Sequence, residues 1–320
     1  MVKYFNFNVK NMKENGPFTK SDFDICSVST VNNPMNNTVI FCNKQLEVEQ
    51  LNKLRNIKEC LLILNENDND NDKVTSSMLD NYIIYDANPR KKYAQVLQYI
   101  INSSSIDKKT YKFKNDCYIG ENVSFGSNLK IEPFVTIGNN VSVGNNCTIK
   151  AGVRIKDNTI IGDNCVLKDN CVIGSDGFGM ERDADGTTYR IPHLGGVIIG
   201  NNVEIGALVS IAQGTIEPTI IEDYVKIDDC VFVAHNCKIG KGTFLIANSE
   251  ISGSVTIGEK CWIGPNTTII NGVSLGDNVM TGIGAVVTKS IESGLTVAGN
   301  PADKIENIKK IRAYQKELLK

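Results

Sequence analysis

Two histidines, His193 and His235, are the side chains of this chain whose ordinary pKa lies near neutrality. A base of that strength suits a reaction in which an amine must be neutral to attack and must shed a proton as its new bond forms. His235 stands in the run Val233-Ala234-His235-Asn236, and the run Ile251-Ser252-Gly253-Ser254 follows at a spacing of 18 residues. The competing reading of His235 is a polar residue at a turn of the chain. Ten cysteines accompany the two histidines but form no Cys-x-x-Cys pair, so metal ligands of zinc-site spacing are poorly supported and no metal is expected.

The elements that must position these residues announce themselves by a period of six. Ile119, Phe125, Ile131, Ile137, Val143, Ile149, Ile155, Ile161, Leu167 and Ile173 form one unbroken series. After an interruption, Ile199, Ile205 and Ile211 resume it, and after a four-residue slip it runs from Ile221 through Ile227 and Val233 to Leu275. Helical geometry would scatter such anchors around a cylinder, whereas short parallel strands stacked in successive coils gather them into one interior. Three hexads make a triangular coil of 18 residues, so each anchor sits above its equivalent one coil earlier. By the same arithmetic Gly253 lies one coil above His235 on the same corner. Cys117, Cys147, Cys165, Cys171, Cys237 and Cys261 each precede an anchor by two residues, a position that predicts burial as small hydrophobes. The pattern is expected to fade after Leu275.

Around the repeat lie two different textures. Strand-like runs at Val39–Cys42, Cys60–Leu64 and Tyr82–Tyr85 give the first hundred residues the look of a small α/β domain. Tyr93, Val96, Leu97 and Ile100 mark one helical face after Asn88-Pro89. Asn65–Asp72 reads as a polar loop and Asn102–Lys109 as a linker, which sets domains at 1–105, 110–300 and 301–320. Past Gly299-Asn300-Pro301 a short C-terminal helix carries an apolar stripe of Ile308, Ile311, Leu318 and Leu319 among basic residues. It reads as a capping helix or, in a second reading, a docking surface for an acidic carrier protein.

Composition narrows the function classes. A net charge of −2 and a pI of about 5.9 supply no basic surface for a nucleic-acid backbone. Hydrophobic residues at 41% never gather into a membrane-spanning run, and Met1–Lys10 does not read as a signal peptide, so a cytoplasmic protein with no membrane span is expected. A break in a solenoid is commonly a loop on its binding face, which makes Asp176 and Phe178, in the insertion Gly174–Val197, candidates for a substrate pocket. His193 in the same insertion reads as structural or substrate-orienting.

The hexad pattern resembles that of the hexapeptide-repeat acyltransferases, whose left-handed parallel β-helices form homotrimers. Gly174-Ser175-Asp176-Gly177-Phe178-Gly179, Ile191-Pro192-His193, Lys226-Ile227-Asp228 and Ala234-His235-Asn236 occur in the order found in the UDP-3-O-acylglucosamine N-acyltransferases of lipid A synthesis. The resemblance covers nearly the whole chain. It implies a small α/β uridine-binding domain, with Phe41 and Asn43 near the uracil segment, ahead of a left-handed β-helix. It implies His235 as catalytic base, Asn236 beside it in the substrate site, and the Gly253 N–H as oxyanion donor, a role glycine suits because it lets the thioester approach. No permanently bound cofactor follows from it. The co-substrate would be an acyl thioester on acyl carrier protein or coenzyme A, the acceptor a nucleotide-linked amino sugar.

Three departures accompany the resemblance. Ala212-Gln213-Gly214 stands where the family carries Asp-Arg-Gly, a second family histidine falls on Gly272, and Gln45 and Leu46 replace an expected tyrosine. The tail Ile283–Lys289 followed by Gly299-Asn300-Pro301-Ala302 is similar to the last coil of sugar acetyltransferases that use acetyl-CoA. An acetyl-CoA-dependent N-acetyltransferase of a UDP- or dTDP-linked deoxyamino sugar is therefore the alternative within the same chemistry. Two other classes compete. A metal enzyme such as a β-helical carbonic anhydrase requires three histidines, and a non-catalytic binding solenoid leaves Ala234-His235-Asn236 unexplained.

Overall fold

A computed structural model describes residues 3–12, 22–69, 78, 80–104 and 110–318. The chain divides into two compact units, one of residues 1–108 with 178–194 and 215–217, the other of residues 109–177 with 195–214 and 218–320.

In the first unit, strands Ser27–Val28, Thr38–Phe41, Leu61–Asn65 and Tyr82–Asp86 lie side by side in that order as a parallel sheet. Parallel sheets are covered on both faces, which is why Leu61 to Leu64 is a continuous apolar run and wholly buried. Helix Pro89–Ser103 starts where the Asn88 side chain accepts the Lys91 N–H at 3.0 Å and Pro89 occupies a position that needs no donor. Its buried face is Tyr93, Val96, Leu97 and Ile100. The polar run after Leu64 is more ordered than a loop: Asn65 caps a 3-10 turn at Glu66–Asp68, while residues 70–72 lie outside the described residues. Of the linker Asn102–Lys109, the first two residues belong to the helix, and residues 105–109 also lie outside the described residues.

The insertion that interrupts the repeat forms an antiparallel hairpin, Met180–Arg182 against Thr188–Arg190. It clusters with the first unit, where Lys91 meets Asp183 at 2.6 Å and Arg90 pairs with Glu181.

The second unit is the solenoid, a parallel β-helix of three sheets. Its strands are mostly two residues long and pair at a spacing of 18, Lys130 with Thr148 and Phe232 with Glu250 for example. The inner residue of each pair is an anchor, and from Ile137 to Leu275 all anchors are buried. Ile119, Phe125 and Ile131 are less covered, and Phe125 is 41% exposed, because the first coil has no coil beneath it. The six cysteines two residues before anchors are buried as their phase requires, and burial pushes the Cys171 and Cys237 thiols up to about 12. They are structural hydrophobes. Replacing Ile227 by alanine should cost about 2–5 kcal/mol, read from chemical unfolding, since neighbouring coils cannot close the cavity left between them.

The corners explain the many asparagines. Each coil turns through residues of positive φ, including Asn140, Asn158, Asn164 and Asn236, a conformation asparagine accepts more readily than most residues. Their side chains stack, Asn122 donating to Asn140 and Asn140 to Asn158, both at 3.2 Å. One residue earlier, side chains cap the coil below: the Asn139 carbonyl oxygen accepts the Glu121 N–H at 2.6 Å, and Asp157 accepts the Asn139 N–H at 2.9 Å.

The repeat does not fade after Leu275. Strands Met280–Thr281 and Val286–Val287 continue it in phase. Thr281 takes an anchor position and hid the continuation from a hydrophobic count. Its hydroxyl is satisfied inside, 2.9 Å from both Thr267 Oγ1 and the Gly264 N–H. The C-terminal helix is Ile305–Leu318 and buries none of its residues, so Ile311 and Leu318 of its stripe stand exposed; Leu319 lies outside the described residues.

Candidate active site

His235 follows strand Phe232–Val233 by two residues and so occupies a corner of the solenoid. The column to which it belongs changes character along the stack. In lower coils this position holds Asn139 and Asp157, which cap the backbone beneath them. Higher up it holds Gln213, His235 and Gly253, whose strands pair in that order through Ile211, Val233 and Ile251.

The imidazole of His235 is half-buried and lies over Gly253. A Cβ on that glycine would stand 2.8 Å from both Cε1 and Nε2, closer than atoms pack. What disfavours a larger residue here is the approach of the ring and not the backbone, whose φ is an ordinary one. The coils are locked together at this point by the Ser254 N–H, which donates to the His235 carbonyl at 2.8 Å. Among the described residues none accepts from the Gly253 N–H, while the amides of Ser252 and Ser254 on either side are both engaged.

Asn236 orients the ring. Its Oδ1 lies 3.0 Å from His235 Nδ1, and an acceptor there places the proton on Nδ1 and leaves the lone pair on Nε2, the nitrogen facing Gly253. Asn236 is itself held, because its N–H donates at 2.9 Å to Oγ1 of Thr219, which is fully buried. The arrangement sets an oriented imidazole beside a backbone N–H. Replacing Asn236 by glycine removes the acceptor without straining a residue of φ 60°. The expected result is a fall in kcat of about tenfold, the worth of one hydrogen bond, with Asn236→Asp retaining more activity.

The other expected site residues fall in two places. Asp176 is exposed at the root of the insertion, in the solenoid, and accepts from Gln213 Nε2 at 2.8 Å. Phe178, Phe41, Asn43 and His193 belong to the first unit. Phe178 is 81% exposed, and Phe41 packs on Tyr93 with ring centroids 4.6 Å apart. Asn43 is exposed and its carbonyl accepts from the Asn65 amide at 3.4 Å. His193 is buried over Gly179, whose added Cβ would lie 2.9 Å from His193 Cε1.

Two residues around this corner escaped the sequence reading. Thr219 carries the phase of a core residue. Glu250 points outward beside Ser252, whose hydroxyl lies 3.1 Å from it, and burial raises its carboxyl above the usual range. Outward positions of a solenoid accept almost any polar residue, so no signal singled Glu250 out. Among the described residues no group of three or more His, Cys, Asp or Glu side chains is placed to hold a metal ion, and no helix is long and apolar enough to cross a membrane.

The solenoid's sequence matches the family model described as bacterial transferase hexapeptide (six repeats) at residues 116–151, 140–175 and 254–289, and that described as hexapeptide repeat of succinyl-transferase at 237–264. The coils at residues 116–175 and 237–289 thus carry recognisable hexapeptide repeats. This hexapeptide-repeat chain is similar to UDP-3-O-acylglucosamine N-acyltransferase 2 of Legionella pneumophila (strain Lens), 40% identical over 148 residues, 46% of this chain and 43% of the relative. It is 45% identical over 123 residues to UDP-3-O-acylglucosamine N-acyltransferase of Bordetella avium, covering 38% of this chain and 34% of that one. The matched stretch thus spans less than half the length of these curated relatives. Among solved structures, the UDP-N-acetylglucosamine acyltransferase from Campylobacter jejuni superposes with a TM-score of 0.54 at 26% identity, over 60% of this chain and 73% of that one.

Proposed function

We propose that this hexapeptide-repeat protein moves an acyl group from a phosphopantetheine thioester to the amine of a nucleotide-linked amino sugar. The observation that carries the reading is the corner itself, where Asn236 fixes His235 with Nε2 against Gly253. The amine nitrogen attacks the thioester carbon while Nε2 takes the amine's proton. The oxyanion that forms on the former carbonyl accepts from the Gly253 N–H. Collapse breaks the C–S bond, and the proton held on Nε2 passes to the departing thiolate. Similarity to proteins named UDP-3-O-acylglucosamine N-acyltransferase supports this acceptor class and a place in lipid A or surface polysaccharide assembly.

The resemblance to the hexapeptide-repeat acyltransferases supports a homotrimer, and it marks Phe41 and Asn43 of the first unit as nucleotide-binding residues. A second reading has a specific observation behind it. Gly272 has a φ of 75° and no atom within 4 Å of an added Cβ, so the position of the second family histidine is open space. That favours a different ligand group, as an acetyl donor and a deoxyamino sugar would bring. Mass spectrometry of products from UDP- and dTDP-amino sugars with acetyl-CoA or a 3-hydroxyacyl carrier protein separates the two. A hydroxyacyl gain supports the first reading, an acetyl gain the second, and no product with either donor overturns both.

A further inference from the structure

Both breaks of the repeat leave the solenoid at one place. The insertion departs after Gly177 and returns at Gly195, the slip departs after Gly214, and Gly196 pairs with Gly214 where they meet. At their common root Gln213 Nε2 donates to Asp176 Oδ1 at 2.8 Å, and the Gln213 N–H donates to the Ser175 carbonyl at 2.8 Å. Gln213 stands two residues past Ile211, as His235 stands two past Val233, and Ile211 pairs with Val233, so Gln213 occupies the corner one coil below His235.

The chemistry of this pair is defined. A carboxylate only accepts, so it fixes the Gln213 amide with nitrogen toward Asp176 and leaves Oε1 as the group's remaining acceptor. Asp176 is exposed and Gln213 half-buried, so the pair offers a carboxylate oxygen and an amide oxygen at the surface, both acceptors. Such a pair takes hydroxyl donors and repels phosphate. In the lower coils Asn139 and Asp157 at this position cap the coil below, whereas the Gln213 amide is turned to a neighbour across the insertion.

We propose that Asp176 and Gln213 form a hydroxyl-reading subsite for the acceptor sugar, one coil from His235, which decides the ring that is presented for acylation. The proposal rests on the N-acyl-transfer reading for its substrate class. Held between the two coils, a hexosamine with its amine at Nε2 would turn one of its ring hydroxyls to the pair.

The test is direct binding of UDP-glucosamine and its 3-deoxy and 4-deoxy analogues by calorimetry. The protein carries His235→Ala, so that no chemistry intervenes, and is compared with the same protein also carrying Asp176→Asn or Gln213→Leu. The expected result is a loss of affinity for UDP-glucosamine of about 10–100-fold in either variant, the worth of a hydrogen bond to a charged group. The deoxy analogue lacking the read hydroxyl should bind the unaltered subsite that much more weakly and be insensitive to both substitutions. Equal losses for all three sugars, or none, would overturn the subsite. Asp176→Asn keeps the shape of the root, and a melting temperature that drops for both variants with unchanged sugar preference would reassign the pair as a clasp. If the preference appears while no acyl donor yields product, the subsite stands and the acyl-transfer reading falls. If acyl transfer proceeds with no dependence on the hydroxyl, the reverse holds.

Discussion

His235→Ala is expected to lower kcat for acyl transfer by about 10²–10⁴-fold, the usual contribution of a positioned general base, while thermal unfolding stays unchanged. The two halves of this expectation have separate causes. The imidazole is half-buried on a corner, and its loss removes no core packing because the interior of that coil is filled by Val231, Val233 and Cys237. Its removal does strip the only group shown to be held with a lone pair over Gly253 among the described residues. Stopped-flow or end-point mass spectrometry of the product, alongside calorimetric melting, checks both. An alanine variant that retains full transfer would mean that His235 is a corner residue and that the proton leaves by another route.

Gly253→Ala is expected to cost about 10²–10³-fold in kcat, although it adds one methyl group. The backbone at Gly253 has no positive φ, so alanine is tolerated by the chain itself. The methyl carbon would nonetheless stand 2.8 Å from Cε1 and Nε2 of His235 and must push the ring off its position. Displacing the ring breaks its bond to Asn236, and the new side chain covers the N–H that would receive the oxyanion. Pairing this variant with His235→Ala gives a sharp check: if the two residues act as one unit, the double variant is no worse than the worse single one. Independent, additive losses would instead separate the glycine from the base.

Much of this was legible before any coordinates because a solenoid converts sequence spacing into height. The spacing of 18 placed Gly253 over His235, and the phase of the cysteines placed them inside. What was hidden follows from the same rule. Thr281 continues the core as a hydroxyl that finds its partners only in three dimensions, so a count of apolar anchors stopped one coil early. Asp176 and Gln213 meet across the insertion, where spacing no longer reports proximity. His193, in the same insertion, lies buried against Gly179, a placement that no period reports. The period speaks for the coils and is silent about what leaves them.

The fixed coil length also governs how such a chain can change without losing its chemistry. Ile161 pairs with Ile199 across the insertion, and Ile199 with Ile221 across the slip, so both extra lengths are absorbed at one corner and the register above them is intact. Adding or deleting a whole coil would raise or lower His235 and Gly253 together. Adding a single hexad between Gln213 and His235 would carry the histidine a third of the way round the prism, onto a different face from Gln213. The same six residues added within an excursion would leave the corner column untouched. Length variation is therefore graded by where it re-enters the stack, and the places that tolerate it border the column that carries His235.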